Sequence, residues 1–212
     1  MLVHRFLLLC ATQFVVCGFA FPSHGVEEGT ATNSTMAKLE VEIRQEHGTG
    51  IAPARRAYLT AGATKFAFLV PAGLRVDLSN PERVVLTTAD GYAHLTIRVN
   101  RSLPPGLTGL DSASVRQLVL SRHPGAQIKE EFSASAANQS GPAFDFRWNL
   151  GSLACASRVA FIPCVAGFLE FNLTGNADKL DQYLSDLSTV MQTFCASDAN
   201  GQLEVTPLSD QI

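Results

Sequence analysis

The stretch YAHLTIRV at residues 92–99 decides the fold, because apolar and polar residues alternate along it without a break. Successive side chains of a β-strand point to opposite faces, so this pattern predicts a strand with one buried face. The residues expected on the buried face are Ala93, Leu95, Ile97 and Val99. The residues expected on the polar face are Tyr92, His94, Thr96 and Arg98.

Further strands are predicted on both sides of this one. Val84–Thr88 precedes it across a turn at Ala89-Asp90-Gly91, and a strand from Lys65 to Val70 ends at Pro71. The last two strands are expected to form a hairpin around a turn at 163–167. The strands predicted after residue 100 are 127–132, 143–148, 157–162 and 168–173.

Two helices are predicted, one inside the series of strands and one after it. The first begins at Asp111 or Ser112, whose side chain suits an N-cap, and ends at Pro124-Gly125. The closing helix has Asn176 as its expected cap and one apolar face, since its large apolar residues are spaced four and three apart. These residues are Leu180, Leu184, Leu187, Met191 and Phe194.

Strands joined by short turns, with helices between them, predict an α+β fold. We expect a mostly antiparallel sheet flanked by helices, arranged as an α+β sandwich and formed by a single domain over residues 58–196. Residues 21–57 lack sustained periodicity and are expected to be a flexible tail, with 39–44 as a candidate edge strand. Residues 197–212 are expected to be a polar C-terminal tail.

The first 20 residues have the pattern of a secretory signal peptide. A short basic start is followed by an apolar run from Phe6 to Val16, and Gly18 and Ala20 fit a cleavage site after Ala20. We therefore expect a periplasmic or secreted protein that starts at Phe21. Lipid attachment at Cys17 is the alternative, although the residue before that cysteine is not small.

Charge and hydropathy exclude several classes of partner. Without residues 1–20 the chain has 15 basic and 19 acidic residues, hence a net charge of −4. No basic stripe suited to nucleic acid is present, and no other segment has the length of a membrane-spanning helix. No metal-ligand or dinucleotide motif occurs, so we expect no cofactor and no integral membrane segment.

The cysteines and the glycosylation sequons leave questions open. Three cysteines follow the predicted signal peptide, so at least one thiol is free or pairs with another chain. Buried, unpaired cysteine is the favoured interpretation, but one disulfide among Cys155, Cys164 and Cys195 stays open. The sequence has N-x-S/T sequons at Asn33, Asn100, Asn138 and Asn172, whose use depends on the host.

The chain resembles the PsbP-like superfamily over about residues 60–196. The resemblance lies in the aromatic strand and Pro–small–Gly turn at 66–74, in the strands containing 84–86 and 95–97, and in the closing helix that ends at Met191-Gln192-Thr193-Phe194. The resemblance implies an α/β/α sandwich, in which the sheet lies between helices, and a non-catalytic binding or accessory role. It assigns no cofactor residue to this chain.

The sequence offers little support for an enzyme. It contains no Gly-x-Ser-x-Gly nucleophile motif, and only His94 of the histidines after the signal lies on a predicted strand. Polar residues on predicted strands form the candidate ligand-binding set, with ion pairing across strands as the simpler interpretation. These residues are His94, Arg98, Asp145, Arg147, Arg158 and Glu170.

Three functions follow, in order of preference. The first is an exported, non-catalytic binding or accessory protein of the cell envelope whose partner is another protein. The second is a small-anion binder that uses the arginine-bearing face of the sheet. The third is a secreted hydrolase. For the aromatic residues Phe144, Phe146 and Trp148 we expect a core position rather than a stacking platform.

Overall fold

The computed structural model describes residues 36–47, 53–103, 109–198 and 200–205, which contain eleven strands and two α-helices. A 3-10 turn at Leu180–Tyr183 precedes the second helix. The elements are β1 (Glu40–Glu46), β2 (Ala54–Ala61), β3 (Thr64–Val70), β4 (Arg75–Asp77), β5 (Val84–Thr87), β6 (Ala93–Asn100), α1 (Ser112–Arg122), β7 (Gln127–Ala136), β8 (Gln139–Leu150), β9 (Leu153–Cys164), β10 (Gly167–Asn176), α2 (Leu184–Thr193) and β11 (Cys195–Ala196).

Seven strands form the main sheet, in the order β4-β5-β6-β10-β9-β8-β7, and every neighbouring pair is antiparallel. The predicted strand at 92–99 becomes β6, near the middle of the sheet, and its four apolar residues are buried as expected. The β9–β10 hairpin has a shorter turn than expected, because Cys164 already pairs with Gly167. The mostly antiparallel α+β fold class is therefore confirmed.

The two faces of the main sheet are covered differently. On the α1 face, Val115 and Val119 of α1 pack against Phe144, Phe146 and Phe161. On the opposite α2 face, Leu187, Val190 and Met191 of α2 join the larger core, which is closed by a second sheet in the order β1-β2-β3-β11. Sequence analysis had not predicted this small sheet, whose strands β2 and β11 show little alternation.

The expected boundary at residue 58 is wrong, because it falls inside β2. Strand β1 pairs with β2 along its length, from Glu40↔Thr60 to Glu46↔Ala54. Ala37 and Leu39 are buried in the main core, so the described part of the expected tail is folded. The candidate edge strand at 39–44 does exist, as β1 on the edge of the small sheet.

The predicted cap of α1 is confirmed, whereas the predicted start of the closing helix is wrong. Asp111 caps α1 as expected, since its Oδ1 accepts a hydrogen bond from Ser114 N at 2.9 Å. The closing helix starts later than Asn176, which instead accepts a bond from Asp178 N in a local turn. Leu187, Met191 and Phe194 are buried as predicted, and Leu184 is half-buried.

Several predictions lie outside the described residues. They include the signal peptide, its cleavage after Ala20, the alternative at Cys17, and the last residues of the expected C-terminal tail. The described start of that tail is partly buried, because Ser197 N donates to Lys65 O at 2.8 Å. Among the described residues, no helix combines the length and the apolar character needed to span a bilayer.

Candidate functional site

The six candidate ligand-binding residues lie on both faces of the main sheet, three on each. Arg98 pairs across strands with Glu170, and Asp145 pairs with Arg158. Because side chains alternate along each strand, the α1 face receives His94, Arg98 and Glu170. The α2 face receives the other three, Asp145, Arg147 and Arg158. The set therefore forms two separate groups rather than one site.

On the α1 face, a buried carboxylate anchors the group. Glu170 is 2% exposed, and its oxygens accept hydrogen bonds from Arg98 at 3.1 Å and from Arg122 at 3.0 Å. A buried carboxylate is stable only with such partners, so these guanidinium groups satisfy it. Arg122 belongs to the last turn of α1, and its link to Glu170 fastens this helix to the sheet.

A third arginine lies beside this pair and was not predicted. Arg83 directly precedes β5, and extending the register of the Val84↔Ile97 pair brings its backbone beside Arg98 on the α1 face. The Nε of Arg83 is buried and has no hydrogen-bond partner. We call Arg83, Arg98, Arg122 and Glu170 the arginine cluster. It contains three guanidinium groups and one carboxylate.

Two further polar residues adjoin the arginine cluster on β6. Asn100 is 5% exposed, and its Nδ2 also has no hydrogen-bond partner. His94 keeps part of its side chain exposed, and its pKa is lowered, first by desolvation and then by the Arg83 cation. Sequence analysis identified Asn100 only as a sequon. Its burial could have been inferred from the alternation of β6 only if the covering segment had been known.

On the α2 face, Asp145 and Arg158 form one neutral pair, and Arg147 is the remaining charge of the group. Arg158 donates through Nε and Nη2 to the two oxygens of Asp145, at 2.6 and 2.5 Å, and its guanidinium lies 4.8 Å from the Phe132 ring centre. This bidentate geometry is the strong form of an arginine–carboxylate pair. Arg147 is exposed and lines a groove of about 140 Å³ with Lys129 and Asp181, among others.

The aromatic residues of β8 are mostly core residues. Phe144 and Phe146 are buried, whereas Trp148 is half-buried and donates from Nε1 to Ser157 Oγ at 3.0 Å. The His123 ring, which follows α1, lies 4.7 Å from Trp148 and 5.0 Å from Phe146. The pKa of His123 is lowered, mainly by desolvation and secondly by the Arg122 cation.

Exposed apolar side chains gather at one end of the main sheet. Leu150 and Leu153 flank the β8–β9 turn, and Tyr92 precedes β6 at the same end, where its carbonyl accepts a bond from Asn176 N. Lys179 Nζ lies 3.4 Å from the centre of the Tyr92 ring. We call Tyr92, Leu150, Leu153 and Lys179 the hairpin end.

Polar contacts fix the loops near the hairpin end. Tyr183 donates a hydrogen bond to Asp90, whose carboxylate also accepts bonds from Thr88 and from Tyr92 N. These bonds lower the pKa of Asp90 to about 2, and the bond to Asp90 raises the pKa of Tyr183 to about 12. Both groups therefore keep one charge state through the physiological range.

The three described cysteines are unpaired. Cys155, Cys164 and Cys195 are free, and burial raises the pKa of each thiol. They are therefore protonated and weakly nucleophilic at neutral pH. Within the described part of the chain, no group of three or more His, Cys, Asp or Glu side chains is placed to hold a metal ion.

Comparison with solved structures finds similar folds at low identity. LpqN of Mycobacterium tuberculosis, described as involved in cell envelope biogenesis, is 14% identical, with a TM-score of 0.45 over 74% of this chain and 92% of its own. Cyanobacterial PsbP of Synechocystis is 17% identical, with a TM-score of 0.38 over 78% and 96%. The yeast Ran-binding protein Mog1p is 10% identical, with a TM-score of 0.47 over 66% and 94%.

The PsbP group that the sequence resembles is thus present among the similar structures. At these identities the likeness extends to the fold alone. No family model and no curated protein matches the chain.

Proposed function

We propose that this protein is an exported, non-catalytic binding protein of the cell envelope, and that another protein docks on its hairpin end. The observation that carries the proposal is the concentration of exposed large apolar side chains there. Of the five that the described residues contain, Tyr92, Leu150 and Leu153 lie at this one end.

The geometry of the hairpin end suits a protein interface. Leu150 pairs with Leu153 across the turn, and strand spacing places Tyr92 roughly 12 Å from Leu153, so a single partner surface can cover all three. Aromatic and aliphatic anchors surrounded by polar groups are typical of interaction hot spots. Lys179, whose Nζ lies against the Tyr92 ring, supplies such a polar group.

A non-catalytic role is supported by how the reactive groups are arranged. The carboxylates of the candidate set are bound by arginines, and the cysteine thiols are held protonated by burial. Among the hydrogen bonds of the described residues, none joins a histidine to a hydroxyl or a thiol. An acyl-transfer enzyme needs such a pair of nucleophile and base.

Export is proposed from the sequence of residues 1–20. An apolar run behind a basic start, with small residues before the expected cut, is typical of secretory signals. N-terminal sequencing of the mature protein is expected to give Phe21-Pro22-Ser23. A lipid-modified chain that starts at Cys17 would replace this proposal with membrane anchoring.

Site-directed photo-crosslinking tests the docking surface. A photoreactive residue at position 153 is expected to give one discrete crosslinked protein in cells that naturally produce the chain. The matched control is position 165, because Val165 is 83% exposed against 51% for Leu153 and lies in the turn at the opposite end of β9. Leu153→Glu should abolish capture of the crosslinked partner, and Val165→Glu should preserve it. Equal crosslinking at both positions would contradict the proposal.

A further inference from the structure

We propose that the arginine cluster and Asn100 hold a small oxyanion of the phosphate type. This site is distinct from the hairpin end, and it would exist whether or not a protein docks there. It lies on the α1 face, between the start of β5 and the end of β6.

The first argument is the charge of the cluster. Glu170 neutralises one of three guanidinium groups, and Asp77, whose pKa is lowered by its hydrogen bonds to Ser79 and then by the Arg83 cation, offsets part of the charge of Arg83. Extending the β5–β6 register brings Arg83 near Arg98, where like charges on neighbouring strands repel each other. Partial burial strengthens this repulsion, because the surroundings screen charge less than water does. The cluster keeps an excess of positive charge, which an anion would balance, turning the repulsion into attraction.

The second argument is the pair of buried donors without partners. Arg83 Nε and Asn100 Nδ2 can only donate hydrogen bonds, and neither atom has an acceptor in this structure. A buried polar group left unsatisfied costs about 1–3 kcal/mol, so such groups are rare without a ligand or water. Because both atoms are donors, the missing partner must be an acceptor, and the neighbouring cations favour a negatively charged one.

The third argument is the placement of these donors. Asn100 lies two residues from Arg98 on the same face of β6, and Arg83 lies across from Arg98 just before the neighbouring strand. Strand geometry therefore places the side-chain origins of Asn100 and Arg83 within about 7 Å of that of Arg98, close enough to converge on one tetrahedral anion. Each arginine has five N–H donors, of which Glu170 uses one from Arg98 and one nitrogen of Arg122.

Phosphate chemistry fits this set better than a halide or a monocarboxylate. Guanidinium groups bind phosphate oxygens in forked pairs, and a phosphate group has acceptors for several donors at once. The ligand is either free phosphate or the phosphate group of a monoester. The two sources share the recognising chemistry and differ only in what extends from the site.

Thermal unfolding of the mature protein tests the site, with inorganic phosphate and a simple phosphate monoester compared against chloride at equal ionic strength. A ligand that binds only the native state raises the unfolding midpoint with concentration, which yields a dissociation constant. Arg83→Gln is expected to raise the dissociation constant for phosphate by about tenfold or more, since it removes a charged donor. The control is Arg75→Gln, which removes the same charge from the same sheet face but lies opposite Thr87, away from the cluster.

Asn100→Asp is the second variant, because it replaces the donor by a carboxylate of nearly equal size and should abolish binding. The midpoint of each variant without phosphate shows that it is folded. If phosphate binds more strongly than the monoester, the ligand is the free ion in a closed site. If the two bind equally, the ligand is the phosphate group of an ester. Equal weakening by Arg83→Gln and Arg75→Gln, or stabilisation by phosphate no greater than that by chloride, would overturn the proposal.

Discussion

The two faces of the main sheet carry similar charged residues in different arrangements. On the α2 face, Asp145 and Arg158 form one complete pair with both oxygens engaged. On the α1 face, a single carboxylate, Glu170, serves two arginines, with a third beside them and two buried donors unsatisfied. The first arrangement is complete as it stands, whereas the second is complete only with an added anion.

The faces also differ in what covers them. The α2 face is closed by a helix and by the small sheet, which bring a large set of buried apolar residues together. The α1 face is closed by α1 over a smaller aromatic cluster, and Arg122 ties that helix to Glu170. Apolar burial therefore stabilises mainly the α2 side, and charge has a larger share of the stability on the α1 side.

The largest effect is expected from removing the edge of the small sheet. A chain that begins at Arg56 lacks β1 and the buried Ala37 and Leu39, and it leaves β2 as an unprotected edge. We expect the thermal midpoint to fall by about ten degrees or more, as a loss of a few kcal/mol would produce in a domain of this size. An unchanged midpoint by calorimetry would show that the small sheet does not support the α2 face.

The next effect concerns the contact of α2 with the core. Leu187 is buried, so Leu187→Ala is expected to cost about 2–5 kcal/mol of unfolding free energy. Ser185 is exposed on the same helix, and Ser185→Ala should change stability by less than about 0.5 kcal/mol. Urea denaturation measures both. Equal effects would mean that α2 contributes no buried face.

A matched pair of variants compares the two faces directly. Glu170→Gln removes a buried carboxylate and is expected to cost about 1.5–3 kcal/mol, the range for hydrogen bonds to charged groups. Asp145→Asn weakens a pair in which each side chain is about a quarter exposed, so about 1 kcal/mol or less is expected. The same variants separate stability from binding, because Glu170→Gln should tighten phosphate binding and Asp145→Asn should leave it unchanged.

The smallest effect is the pH dependence of the α1 side. The native pKa of His123 lies below its ordinary value of about 6.5, so the native state takes up this proton less readily than the unfolded state. The contribution of His123 to stability is constant above about pH 6.5, and it falls as the pH drops from about 6.5 towards the native pKa. His123→Gln should flatten this fall.

Fluorescence of Trp148, the single tryptophan of the chain, reports unfolding at each pH. His94→Gln is the control, because the pKa of His94 is also lowered. Removing His94 should therefore change a separate part of the slope of stability against pH. A pH profile that His123→Gln does not change would place His123 in a solvated position.

The sequence predicted local structure well and spatial grouping poorly. Alternation identified β6 and its buried face, and the Asp111 cap followed from side-chain chemistry alone. Strand β2 was not predicted, because Arg55 and Arg56 interrupt its apolar pattern. Without β2 as a pairing partner, β1 was predicted only as a candidate edge strand.

The candidate site was predicted only in part, because strand order sets which residues meet. Period-two alternation placed His94 with Arg98, but it did not reveal that Glu170 pairs with Arg98 while Asp145 faces away. Arg122 reaches the cluster from a helix, and Arg83 reaches it from a turn. Such contacts between distant segments depend on tertiary packing, which local patterns do not encode.

One spectrum compares both faces at once. In NMR of the mature protein, the Nε–H signal of each arginine reports whether that donor gains an acceptor. On addition of phosphate, the Arg83 signal is expected to shift progressively, since its Nε has no partner without the ligand, while the Arg158 signal stays in place because Asp145 already accepts its bond. Equal shifts of both signals, or no shift of Arg83, would contradict the account of an incomplete α1 face and a complete α2 face.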